Sequence, residues 1–474
     1  MPASYLTLFP FFTLGLASFK AILQANSAVA GFCSRYMALE MDRLAGSHRA
    51  ALALVNPAVS GMVPCNGSKL NQILTGYDET MSAVMDWIKS SLVDPLEVYR
   101  SRRQEEARFL EILTDAPPRQ NWSEIRETNT VLCDLPSHRL IDISTPKPHR
   151  IKNYTVVFAP RAGHHSNIAE RVAFYLRESG LTRIAVVEQK CADDIPLYVD
   201  GKRHPEGFDS QVEQYRRILE KLMEISGHPS HLVAICQPGP LLMTTLILYP
   251  YLGATFGSAG SPMHTEAQTG TLTDFARMAG ENFADSLLDF LGNSVSDEKA
   301  GKGRPYYDGR FQVFGFYWLG MDQHLKNFIK LFNDLREGNK DEVERQRIFY
   351  QWYNYVHHSP AGFIRDTFKK IFIENQLIRE KLSVCGKTVG ISQYPGSVPI
   401  WALGGEKDDI APPLQAIGHM ELIESVPTED KLTLLCPSGH MGLFRSRTVL
   451  NNYYSTIVEF ILSRSRQEDD RNEG

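Results

Sequence analysis

Three residues of this chain have types and surroundings suited to nucleophilic acyl transfer: Cys236, Asp408 or its neighbour Asp409, and His440. Cys236 follows the apolar run Val233-Ala234-Ile235 and precedes Gln237-Pro238-Gly239-Pro240. A strand that breaks into a tight turn and then a helix lifts the turn residue's side chain clear of the sheet. At a helix N-terminus the exposed N–H groups and the helix dipole stabilise a thiolate. A cysteine closing a buried strand is also a common structural residue, and this segment alone leaves both readings open. Asp408 and Asp409 lie after the apolar run Ile400-Trp401-Ala402-Leu403 and the pair Gly404-Gly405. Either can orient an imidazole, and either can cap the next helix. His440 stands in Ser438-Gly439-His440-Met441-Gly442, directly after another apolar run.

The order nucleophile, acid, histidine is that of an α/β-hydrolase, whose G-x-S-x-G elbow carries the nucleophile. Here Ala234, Cys236 and Pro238 occupy the first glycine, serine and second glycine positions. Ala234 is small enough for close packing, and Pro238 suits a first helical turn, where its missing N–H has no partner anyway. His440 comes 32 residues after Asp408 and beyond the next predicted strand, as this order requires. The loop Pro160-Arg161-Ala162-Gly163-His164-His165 follows an earlier predicted strand. One oxyanion-hole N–H is expected from Arg161, Ala162 or Gly163 and the other from Gln237, just after the nucleophile. His164 and His165 are read as part of that loop, lining the substrate. No carboxylate or third ligand lies nearby in sequence, so no metal site is expected.

Elements must position these residues, and the texture of the chain supplies them. Short β-branched runs at 154–158, 183–187, 231–235 and 254–258 alternate with helical stretches at 168–177, 212–225 and 240–248. The rhythm resumes with strands at 398–403 and 431–435 and helices at 413–423 and 450–462. Strands alternating with helices imply a mostly parallel sheet covered on both faces. The predicted organisation is a mainly helical N-terminal region over 1–149, a core over 150–262 and 391–463, a helical cap over 263–390, and a disordered tail over 464–474. The cap is rich in aromatics. Most read as packing, while Trp318 and Trp352 are candidates for lining an apolar substrate.

Composition narrows the function. The net charge of -5 and the lack of long basic clusters argue against nucleic acid as the main partner. Seven scattered cysteines without CxxC spacing argue against a disulfide framework or zinc site and favour a reducing compartment. The first 19 residues lack charge, but Pro10 interrupts the run and no basic segment precedes it, so neither a signal peptide nor a transmembrane span is expected. An apolar segment packed on the domain, or one that touches a hydrophobic particle, fits it better.

These motifs resemble those of intracellular poly(3-hydroxybutyrate) depolymerases, which degrade storage granules in the cytoplasm. The resemblance covers roughly residues 150–463. It is carried by Ala159-Pro160 with Gly163-His164-His165, by Ile235-Cys236-Gln237-Pro238, by Glu406-Lys407-Asp408-Asp409-Ile410, and by Ser438-Gly439-His440-Met441-Gly442-Leu443-Phe444. It implies a Cys236–Asp408–His440 triad, with Asp408 rather than Asp409 as the acid, hydrolysis of a polyhydroxyalkanoate through an acyl-enzyme, and a place at the granule surface. It implies no cofactor, with coenzyme A as a possible acyl acceptor in place of water. The strand ending Val187-Glu188-Gln189 departs from the Asp-Trp pair of that family. Two other readings stand beside it: a polyhydroxyalkanoate synthase or acyltransferase using the same thiolate, whose cysteine is flanked by glycines absent here, and an inactive granule-coating protein. The sequence leaves the oligomeric state open.

Overall fold

A computed structural model of the chain describes residues 94–114 and 130–465, with breaks at 147–148, 150, 162–166, 281, 292 and 320, and isolated helical positions between 35 and 86. The chain divides into two compact units, one comprising 1–116 and 320–354 and the other 117–319 and 355–474.

In the first unit three helices are described: Asp94–Thr114, Met321–Glu337 and Lys340–Tyr353. Their contact is aromatic. Phe109 meets Phe328 and Phe332 edge-on, with ring centroids at 6.5 and 5.8 Å. His324 bridges the hydroxyls of Tyr350 and Tyr353 at 3.2 and 3.0 Å. The first of these helices lies within the region 1–149 expected to be mainly helical, most of which is outside the described residues.

The second unit is built on an eight-stranded sheet. Its strands are β1 (Thr130–Asp134), β2 (His138–Asp142), β3 (Thr155–Phe158), β4 (Ile184–Gln189), β5 (Ser230–Ile235), β6 (Gly253–Ala259), β7 (Ile400–Gly405) and β8 (Lys431–Cys436). Their spatial order is β1-β2-β4-β3-β5-β6-β7-β8. β3 to β8 run parallel, whereas β2 is antiparallel to both β1 and β4. β3, β4, β5 and β7 are buried along their whole length, which is why they read as unbroken apolar runs rather than alternating ones.

The main covering helices are α1 (Asn167–Glu178), α2 (Phe208–Ser226), α3 (Gly239–Leu248) and α4 (Ser455–Leu462). Val156, Phe158, Leu232 and Ala234 of the sheet form one cluster with Tyr215 and Leu219 of α2 and Leu242 of α3. Gly227 ends α2 in the left-handed conformation at φ 72°, with its N–H donating to the Met223 carbonyl. Parallel strands with intervening helices, one elbow cysteine and an antiparallel strand at one edge make this an α/β-hydrolase fold, as the motif order implies.

Three boundaries differ from those read in the sequence. The sheet begins at Thr130, not 150, because a hairpin of β1 and β2 extends it. β2 holds the polar Ser137-His138 end underground by pairing both residues with Gln214 of α2, so its strand pattern is concealed. The region 263–390 is not one piece: 320–354 groups with the first unit, and the flanking parts stay with the sheet. The tail is held as far as Ser465. There Arg464 pairs with Asp430 at 2.8 Å and the Ser465 hydroxyl meets His231 Nε2 at 3.0 Å.

Candidate active site

The carboxyl ends of β5, β6, β7 and β8 lie side by side. Leu403 of β7 is in register with Ala259 of β6, Ala259 with Ile235 of β5, and Gly405 of β7 with Cys436 of β8. Cys236, Asp408 and His440 each follow one of these ends, at the edge where open α/β sheets assemble their sites.

Cys236 leaves β5 with φ of 61°, a left-handed conformation that costs a non-glycine residue of order 1–3 kcal/mol and persists only where its surroundings impose it. They do so here. Its N–H donates to the Ala259 carbonyl at 2.9 Å, and its own carbonyl accepts from the Gly239 N–H at 3.3 Å as α3 begins. Pro238 takes the cap of α3 at φ -64°. The glycine that lets the elbow pack is Gly239, one residue beyond the motif position. A β-carbon there would lie 2.6 Å from Ser261 Cβ and 2.7 Å from Met263 Sδ. Gly260, at φ 54°, gives similar clearance next to the histidine: a β-carbon on it would approach His440 Cε1 to 3.3 Å.

The acid and histidine loops are tied together. Glu406 N–H donates to the Cys436 carbonyl at 2.8 Å and Lys407 N–H to the Ser438 carbonyl at 3.1 Å. Asp408 is buried, and its Oδ1 accepts from the N–H groups of Ile410 and Ala411, both at 3.0 Å. Its Oδ2 accepts from His440 Nδ1 at 2.7 Å. Asp409 is exposed. Of the two aspartates, Asp408 therefore holds the imidazole. Cys236 also acts electrostatically on the His440 ring. Burial disfavours the imidazolium, but the neighbouring Cys236 and Asp408 outweigh it and raise the His440 pKa to about 10. The geometry is that of an imidazole held by a carboxylate on Nδ1, beside a cysteine.

On the other side of the elbow, the Gln237 side chain accepts from Gln189 Nε2 at 3.0 Å. The Arg161 side chain is buried. Its Nη1 donates to the Lys190 carbonyl at 2.8 Å, and its Nη2 lies 3.6 Å from Glu206, which is fully buried. Ala162, Gly163, His164 and His165 lie outside the described residues. So does the side chain of Trp318, while Trp352 belongs to the first unit, where its ring lies 6.1 Å from Phe349. The insertion does reach this end of the sheet: Phe363 stacks under the Arg161 guanidinium at 5.1 Å, and Asp366 accepts from the Phe208 N–H at 2.8 Å. Among the described residues no group of three or more His, Cys, Asp or Glu side chains could hold a metal ion, and no helix is long and apolar enough to cross a membrane.

Several solved structures align with the backbone of this chain. A monoacylglycerol lipase from Paleococcus ferrophilus aligns with 15% identity and a TM-score of 0.40, covering 69% of this chain and 98% of the lipase. The thioesterase domain from the curacin biosynthetic pathway aligns with 12% identity and a TM-score of 0.38, covering 70% and 98%. MGS-M2, an α/β hydrolase from a Medee basin deep-sea metagenome library, gives 12% identity and a TM-score of 0.38, covering 70% and 96%. No curated protein matches the chain in sequence. Residues 260–465, which carry β7, Asp408, β8 and His440, match the family described as PHB de-polymerase C-terminus.

Proposed function

We propose that this chain is an intracellular polyhydroxyalkanoate depolymerase that cleaves ester bonds of poly-3-hydroxybutyrate through Cys236, His440 and Asp408. The observation that carries this reading is the strained elbow Cys236 beside an imidazole whose Nδ1 is held by Asp408. The family match over residues 260–465 supports the polyester as substrate and the granule surface in the cytoplasm as the place of action.

His440 accepts the Cys236 thiol proton on Nε2. The Cys236 thiolate adds to the ester carbonyl, and the carbonyl π pair becomes an oxyanion. That oxyanion is received by the Gln237 N–H and one N–H from Arg161, Ala162 or Gly163. Its collapse breaks the ester C–O bond. The departing alkoxide takes the Nε2 proton of His440 and leaves a thioester on Cys236. The now neutral His440 removes a proton from water, the hydroxide oxygen adds to the thioester, and the thiolate is expelled with the carboxylic acid as product. Asp408 keeps Nδ1–H fixed throughout and orients the ring.

The test is release of hydroxyacid from amorphous polymer granules by wild type and Cys236→Ala, with and without coenzyme A. Free acid from the wild type alone is expected. Equal release by Cys236→Ala would remove the cysteine from the mechanism, and product formed only as hydroxyacyl-coenzyme A would make the chain an acyltransferase.

A further inference from the structure

Gln189 closes β4, is 5% exposed, and lies on the far side of β3 from the elbow. Both hydrogens of its amide nitrogen are engaged. Nε2 donates to the Ala159 carbonyl at 3.0 Å and to Gln237 Oε1 at 3.0 Å. Ala159 is the first residue beyond β3 and leads through Pro160 into the loop that starts at Arg161. Gln237 follows the nucleophile. One carboxamide thus ties together the two backbone segments proposed to supply the oxyanion donors.

The assignment of atoms is forced. A backbone carbonyl can only accept, so the atom of Gln189 that meets Ala159 must be the nitrogen. The same nitrogen then needs an acceptor on Gln237, which turns that side chain's oxygen toward Gln189 and its NH₂ the other way. The orientation of Gln237 is therefore set by the end of β3, through Gln189. The Oε1 of Gln189 is buried and has no hydrogen-bond partner among the described residues. An unsatisfied buried acceptor is costly, and its persistence indicates that the two bonds on Nε2 are what hold the side chain in place.

We propose that Gln189 is a positioning residue for the oxyanion side of the site. It fixes the orientation of the Gln237 side chain relative to the end of β3, while the Cys236–His440–Asp408 set stands independently of it. This inference rests on the acyl-enzyme reading above.

The test uses the full chain, a soluble p-nitrophenyl 3-hydroxybutyrate ester, and alkylation of Cys236 by iodoacetamide. Gln189→Leu removes both bonds. It should lower kcat about 10- to 100-fold, the scale expected when positioning near the reacting atoms is lost, with KM within about twofold of wild type. Alkylation of Cys236 should keep its wild-type rate and pH profile. Gln189→Glu sets an acceptor against the two oxygens now bonded, and only its protonated form can donate. Its kcat relative to wild type should therefore rise as pH falls, which a merely space-filling role would not produce. Unchanged kcat in Gln189→Leu overturns the proposal. So does a parallel loss of kcat and alkylation rate in both variants, which marks general damage to the fold. A wild type that alkylates at Cys236 but forms no acyl-enzyme overturns the underlying mechanism, and this inference with it.

Discussion

Two buried ion pairs flank the elbow, and they differ in what surrounds them. His440 and Asp408 are 2.7 Å apart and share the imidazole with Cys236, a third ionisable group in a strained backbone position. Arg161 and Glu206 are 3.6 Å apart, and Glu206 is further engaged by His204 at 2.7 Å and by Gln211. Burial would raise the Glu206 pKa, but His204 and Arg161 hold it below the ordinary carboxylate value. Nothing in the second pair needs to change state, whereas the first holds a proton that it can give away. Burial and charge alone do not mark a reactive centre. The distinguishing feature is a titrating group with a nucleophile on one side and a fixed acceptor on the other.

The comparison can be broken by variants that touch one pair only. Cys236→Ala should lower ester hydrolysis by at least about ten-thousand-fold, since removing the nucleophile removes the covalent path, while thermal unfolding stays close to wild type. Asp408→Asn should cost about 10²- to 10⁴-fold in kcat by losing control of the imidazole, and Asp409→Asn should stay within a few-fold because that side chain is exposed. Equal losses from both would place the orienting role elsewhere.

The opposite signature is expected on the other side. Glu206→Ala leaves the Arg161 guanidinium buried without its counter-charge and should destabilise the fold by about 3–5 kcal/mol, read by chemical denaturation. Cys236 in the folded fraction should still alkylate at the wild-type rate. A change in that rate would mean the two pairs are coupled.

The smallest effect concerns pH. The His440 pKa rises from 6.5 to about 10 on folding, so the folded state binds the extra proton between those values. The stabilisation is fully present below pH 6.5 and is lost as pH rises through about 10. The stability difference between wild type and His440→Gln should shrink over that window, measured by denaturation at a series of pH values. A difference that grows instead would contradict the imidazolium.

The triad side of this comparison was far more legible in the sequence than the oxyanion side. Apolar runs ending in Cys236, Gly405 and Cys436 predict strand ends, and parallel strand ends must come together, so three distant segments could be joined from periodicity and order. The choice between Asp408 and Asp409 was not visible in the pattern. It depends on which carboxylate receives the Ile410 and Ala411 N–H groups, a matter of turn geometry. Gly239 as the close-approach position was concealed because the motif expects that glycine at 238. Gln189 and Glu206 were missed for a shared reason. Polar residues buried through long-range partners, such as Ser137 with Gln214, interrupt the apolar patterns from which strands and cores are read.

The most direct test of the central claim is the intact mass of the protein quenched in acid seconds after mixing with a p-nitrophenyl 3-hydroxybutyrate ester, followed by peptide mapping. A single hydroxybutyryl adduct on the peptide containing Cys236, present in wild type and absent in Cys236→Ala, is the predicted result. Turnover with no adduct on Cys236, or an adduct that persists elsewhere in Cys236→Ala, would contradict the account.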